Sequence, residues 1–217
     1  MLRDERGRPV GQVRDRVNLA VATDQAVQRK HVQYQTDFEL PPGSYRLKVV
    51  VRENQEGTLG TFETAVVVPN LERDALKVSS VVIGTQLRPA TSRSDRRNPM
   101  VANGQQLLAN VAHVVSGAQR LFFYYEIYDP APAGDARGPA PIRVLSNVVF
   151  FKGKQRVYET PLVDGQAVTV PERKATAFQL EVPAAGLQPG LYTCQVTVID
   201  DAGGTFAFPR LTLWVKP

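Results

Sequence analysis

Side chains alternate with a period of two along much of this chain, and few patterns limit a fold more. In residues 45–52, Tyr45, Leu47, Val49 and Val51 fall on one face, and Arg46, Lys48 and Arg52 on the other. A half-buried strand reads this way, because successive side chains point to opposite sides of a sheet. Residues 61–68, 77–83, 121–128, 143–151, 177–182, 192–199 and 206–215 are also short, rich in Val, Thr, Tyr and Phe, and punctuated by Gly or Pro. They are predicted strands. Asn103-Gly104, Asp164-Gly165 and Gly203-Gly204 carry hairpin-turn chemistry. No amphipathic helix exceeds two turns, and the only helical turn predicted lies over 105–110. Many short strands without helices make a sandwich or a barrel.

An internal repeat sets the domain count. Residues 40–53 align without gaps to residues 187–200, an offset of 147, with Leu40/Leu187, Gly43/Gly190, Tyr45/Tyr192, Val49/Val196 and Val51/Val198 coinciding. Each copy is followed by a Gly-containing turn and one more strand ending near a Pro (Pro69, Pro217), so each reads as the last hairpin of its own domain. The boundary falls just after Pro69, which predicts a first domain over 1–72 and a second over 73–217. Pro-Gly makes a tight turn, and the Tyr that follows opens the next strand with its hydroxyl free to reach backbone in the preceding loop. This resembles the tyrosine corner of immunoglobulin-like sandwiches. The fold expected is therefore all-β, two tandem immunoglobulin-like or fibronectin-III-like sandwiches. Cys194 takes the place of Leu47 and is expected in the core; as the only cysteine it forms no internal disulfide.

The first domain is short for a sandwich, with about seven strands in roughly 100 residues being usual. Five strands are predicted there, near 9–13, 16–22, 30–39, 44–52 and 60–68, so that domain is either minimal or incomplete. Residues 130–141 hold four Pro and two Gly and are expected as a long exposed loop.

The net charge of +5 sits in two tracts. Residues 1–16 carry five Arg against three carboxylates, and residues 86–98 carry Arg88, Arg93, Arg96 and Arg97 against Asp95. Neither has interleaved aromatics, so both read as solvated segments and no nucleic-acid partner is expected. No apolar run is long enough to span a bilayer, and residues 1–6 are too charged for a secretory signal.

Chemistry is hard to place. His31 and His113 are the only histidines, and neither has a second ligand nearby in sequence, so no metal site is expected. Asp200-Asp201-Ala202-Gly203-Gly204 lacks calcium-loop spacing and reads as a polar hairpin tip. Nucleophile elbows and phosphate-cradling Gly-rich loops do not occur. No catalytic or cofactor-binding residue is nominated, and no cofactor is expected. One segment could bind a partner. In residues 121–128, Leu121, Phe123, Tyr125 and Ile127 form one face, and Phe122, Tyr124 and Tyr128 the other. A sandwich buries one face; the second is either covered by a loop or neighbouring domain, or shows aromatics to a partner.

Residues 38–57, 60–64, 68–69, 79–82 and 122–129, together with the closing Leu-x-Pro-Gly-x-Tyr hairpin, resemble the region that follows the von Willebrand factor A domain in acidobacterial proteins containing that domain. The resemblance spans most of the chain and rests on structural motifs. It implies a longer exported parent with an upstream signal and an A domain as intramolecular partner. The Asp-x-Ser-x-Ser adhesion motif of A domains does not occur here, so no metal ligands carry over. The function expected is that of a non-catalytic structural or interaction module, with another protein or a glycan as a further partner. The alternative is a carbohydrate-binding module that stacks sugars on Phe122, Tyr124 and Tyr128.

Overall fold

The computed structural model of the chain describes residues 1–18, 33–54, 57–91, 98, 100–132, 142–164, 168–170 and 175–217. His31, the Arg93, Arg96 and Arg97 part of the second basic tract, Gly165 and residues 133–141 of the Pro-rich segment lie outside them. The described residues are all-β, with two short 3-10 turns, Leu71–Arg73 and Ala184–Gly186. No helix among them is long and apolar enough to cross a membrane. Two compact units follow one another, Met1–Asn70 and Leu71–Pro217.

The second unit is sandwich-like. One sheet has the order β14 (Val168–Val170), β15 (Ala175–Pro183), β10 (Arg120–Tyr128), β6 (Val82–Pro89), β8 (Gln105–Ala109) and β7 (Val101–Ala102), with β5 (Lys77–Val78) also on β10. The other has the order β12 (Gln155–Glu159), β11 (Val144–Lys152), β16 (Gly190–Asp200), β18 (Arg210–Lys216) and β9 (Val114–Ser116); β13 (Val163–Asp164) joins β11 and β17 (Thr205–Ala207) joins β16. Their apolar faces meet in one core. Leu121, Phe123, Tyr125, Phe178 and Leu180 pack from the first sheet against Val148, Phe150, Cys194, Val196 and Val198 of the second. Phe123 and Phe150 meet edge to face at 6.1 Å between centroids. Each such buried side chain contributes about 1.5–3 kcal/mol. A polar crossing between the sheets is closed: Tyr125 O–H donates to Ser146 Oγ at 2.8 Å, and the Ser146 hydroxyl donates to Thr197 O.

Residues Gln105–Ala109 form a strand, β8, and not the helical turn expected over 105–110. Asn103 and Gly104 both have positive φ (52° and 70°), as a tight two-residue hairpin requires. That turn pairs Ala102 with Gln105 and Val101 with Gln106, which commits the residues after it to a ladder.

The first unit is simpler. Its four strands form one sheet in the order β2 (Pro9–Gly11), β1 (Leu2–Asp4), β3 (Gly43–Arg52) and β4 (Leu59–Val68). Residues 16–18 and 33–39 carry no strand, and the rest of those two predicted strands lies outside the described residues. No second sheet faces the first among the described residues. The charged terminus is not merely solvated: residues 2–4 are an unexpected strand, with Leu2 opposite Leu47 and buried.

Candidate functional site

The aromatic face singled out in the sequence lies on β10, and the structure covers it. Phe122 and Tyr124 are only 5% and 3% exposed, and Tyr128 is half-buried. The exposed aromatic platform needed for sugar stacking is therefore not present, which corrects that expectation. A bulge between Gly84 and Gln86 shifts the register of β6 against β8. Leu107 of β8 then joins Phe122, Tyr124 and Ala177 in a second small core, with Val82, Leu87 and Met100 packed on it. Gly84 makes this possible: a Cβ there would lie 2.4 Å from Leu108 O and 2.5 Å from Leu107 Cδ1. A glycine inside a strand often marks a close approach of this kind, and it was the available signal. The guanidinium of Arg120, ion-paired with Glu181, completes the cover 5.6 Å above the Phe122 ring.

The same face holds a polar group that motif searching passes over. Tyr124, Glu126 and Tyr128 follow one another at period two, so their tips converge. Tyr124 O–H donates to Glu126 Oε1 at 2.8 Å and Tyr128 O–H to Glu126 Oε2 at 3.1 Å. The strand backbone is held as well: Glu126 N–H donates to Ser79 Oγ, and Ser79 N–H to Glu126 O, both at 2.9 Å. Glu126 is almost fully buried. A carboxylate that accepts from two phenols braces one strand face, since a buried charge needs such partners.

Beside Tyr128 an open cleft of about 240 Å³ runs past Lys77, Asp129, Ala131, Asp200 and Thr205. Its acids already have partners. Lys77 Nζ meets Asp129 Oδ2 at 2.9 Å. Buried Asp200 accepts from Gly203 N–H at Oδ1 (3.0 Å) and from Ala131 N–H at Oδ2 (2.9 Å). The acidic hairpin tip thus ties a turn to a neighbouring loop. A wider hollow on the first unit, about 640 Å³, is lined by Arg3, Asp4, Arg46, Lys48 and Glu63 among others. Its charges are mixed and partly paired: Arg46 with Glu63 at 3.1 Å, and Arg8 with Asp4 at 2.7 Å. The Arg8 side-chain hydrogen bond holds the Asp4 carboxyl below the usual carboxylate range. Among the described residues no three His, Cys, Asp or Glu side chains group as metal ligands.

The remaining candidates are structural. His113 takes positive φ (53°), with Nδ1 2.9 Å from Thr212 O and its own carbonyl accepting from Trp214 N–H. Cys194 is fully buried, and burial pushes its thiol up to about 12; such a thiol is inert as a nucleophile. Burial also raises the Tyr125 phenol, with Ser146 working the other way.

Both tyrosine corners are formed. Tyr45 O–H donates to Pro41 O at 2.6 Å, and Tyr192 O–H to Gln188 O at 2.5 Å, each four residues back in the chain. Gly43 (φ 157°) and Gly190 (φ 147°) precede them in matching conformation. The match extends through both hairpins. Gly43 pairs with Val68 and Gly190 with Val215; Val51 pairs with Gly60 and Val198 with Ala207. Each pair is displaced by the same 147 residues. No known family model matches the chain, and no curated protein does.

Proposed function

We propose that this chain is a non-catalytic structural and interaction segment, built from immunoglobulin-like modules, of an exported bacterial protein that also carries a von Willebrand factor A domain. The observation that carries the reading is the pair of tyrosine corners. A corner locks a strand entry by one hydroxyl-to-carbonyl bond and is a device of immunoglobulin-like sandwiches. Its recurrence in one register supports tandem modules of one kind. The fate of the polar groups supports a mechanical role: Glu126, Asp200 and Ser146 spend their hydrogen bonds on strands and turns. The A domain and export rest on the resemblance in the sequence. The carbohydrate-binding alternative is not pursued, because Phe122 and Tyr124 are covered.

An antibody raised against the chain tests the reading in fractionated cells of the source bacterium. It should detect a polypeptide larger than 23.9 kDa outside the cytoplasm, and peptide mapping of that band should find an A domain upstream. A cytoplasmic band, or one without an A domain, contradicts the proposal.

A further inference from the structure

The cover over Phe122 and Tyr124 is thin, and one side chain in it carries chemistry of its own. The main core of the second unit joins the apolar faces of two sheets. The smaller core buries Leu107, Phe122, Tyr124 and Ala177, with Val82, Leu87 and Met100 packed on them. Met100 stands at the entry to the β7–β8 hairpin and is half-buried. Its main chain is engaged at both ends: Met100 N–H donates to Asn98 Oδ1 at 2.9 Å, and Met100 O accepts from Leu107 N–H at 3.0 Å. The second bond ties Met100 to the residue that covers the two aromatic rings. β7 itself adds only two pairs to β8, Val101 with Gln106 and Ala102 with Gln105. Apart from Met1, no other thioether occurs in the chain.

We infer that Met100 is a modification site for oxygen-transferring oxidants of the hydrogen peroxide class, and that its oxidation loosens the β7–β8 cover over Phe122 and Tyr124. In the step, the thioether sulfur attacks one peroxide oxygen. An S–O bond forms as the O–O bond breaks, and the departing hydroxide takes up the proton left on the transferred oxygen. Sulfur is oxidised to the sulfoxide and the peroxide is reduced to water. Half-burial suits both parts of the device: a small oxidant can meet the side chain, and the side chain still contributes to packing. A sulfoxide is polar where the thioether was apolar. Its oxygen needs a donor, and the side chains of Leu87, Leu107 and Phe122 offer none; Met100 N–H and Leu107 N–H are already used. Such an uncompensated polar group costs free energy. The contact that suffers is the one with Leu107, whose displacement uncovers Tyr124 and the Tyr124–Glu126–Tyr128 brace. Cys194 competes poorly for the oxidant, because the thiolate is the reactive form and burial keeps this thiol protonated. Neither export nor an A domain enters this chemistry.

The test treats the folded full chain with dilute hydrogen peroxide and follows it by peptide mapping and hydrogen exchange. Met100 should gain one oxygen while circular dichroism still reports a folded chain. Amides of Gln105–Ala109 should then lose protection, and those of Val144–Lys152 in the main core should keep it. Methionine sulfoxide reductases should remove the oxygen and restore the protection. Met100→Leu, a volume-conserving change, should keep β8 protected through the same treatment. Met100→Gln, polar like the sulfoxide, should lose that protection without peroxide. Should Met100→Gln fail to fold, the cycle of oxidation and reduction on the unchanged chain decides. A Met100 that oxidises only once the unit unfolds, an oxidised chain with unchanged β8 protection, or an equal loss of protection in Met100→Leu overturns the inference.

Discussion

The β3–β4 hairpin and the β16–β17–β18 hairpin have one register and one corner, yet they meet different surroundings. In the second unit the hairpin is flanked by β11 over eight paired residues and by β9 on the far edge, and it is roofed by a second sheet. In the first, β1 supplies three pairs and the far edge is open among the described residues. The strands record this. β4 runs unbroken for ten residues, whereas its counterpart breaks between β17 and β18 at Phe208 and Pro209, Pro209 standing where the first unit has Phe62. Proline removes a ladder donor. Local sequence is enough to form the hairpin and its corner. What differs is burial, and that is set by strands far away in the chain.

The largest effect should separate the units most sharply. Phe150→Ala empties a site fully buried among Phe123, Tyr158 and Tyr192 and should cost the second unit about 3–5 kcal/mol in denaturant unfolding. Phe62→Ala, measured at the lowest usable concentration, should change the first unit by no more than about 0.5 kcal/mol. Similar costs at the two sites would break the comparison. Next, Gly84→Ala forces a methyl against Leu107 and the Leu108 carbonyl. It should destabilise the second unit by about 1–3 kcal/mol and raise the fluorescence accessibility of the tyrosines beneath, seen as faster acrylamide quenching.

The corners sharpen the comparison from the other side. Tyr192→Phe and Tyr45→Phe each remove one hydroxyl-to-carbonyl bond and should cost about 1 kcal/mol apiece, because the corner is local. A null effect at Tyr45 alone would mean that the first unit's corner is frayed. The smallest effect is alkaline. The Cys194 thiol and the Tyr125 phenol are raised in the folded state, so the unfolded chain releases their protons first. The Cys194 contribution is complete below the ordinary thiol value of 9.0 and falls as pH rises from there toward about 12, and that of Tyr125 falls likewise above the ordinary phenol value of 10.0. Stability of the second unit should therefore decline above pH 9.0, while Cys194 stays closed to thiol reagents at pH 8 until the unit unfolds. Prompt labelling of folded protein would contradict its burial.

Much of the fold was legible in the sequence, for reasons that differ by residue. Alternation in 45–52 and 192–199 marks strands because one face of each is meant for a core. The repeated Pro-Gly-x-Tyr or Pro-Gly-Ser-Tyr turn marks the corner because its chemistry is local. Leu2 was hidden because three strand residues inside a charged terminus leave no period to read. The β8 strand was misread because the Asn103-Gly104 turn outweighs the preference of the residues after it. The cover over Phe122 and Tyr124 was illegible in kind: it comes from β8, and only Gly84 hints that another backbone approaches there. The Tyr124–Glu126–Tyr128 brace was visible as a spacing, but its meaning depends on burial, which no single strand encodes.

The central claim is that one hairpin is covered along its length while its repeat is buried at Tyr45 and exposed toward its tip, Val51 being 64% exposed against 0% for Val198. Hydrogen exchange of the two hairpins, followed by mass spectrometry on the full chain at the lowest usable concentration, tests it most directly. Amides of residues 191–199 should exchange only through unfolding of the second unit, and those of residues 46–52 much faster. Equal protection of the two hairpins would contradict the account.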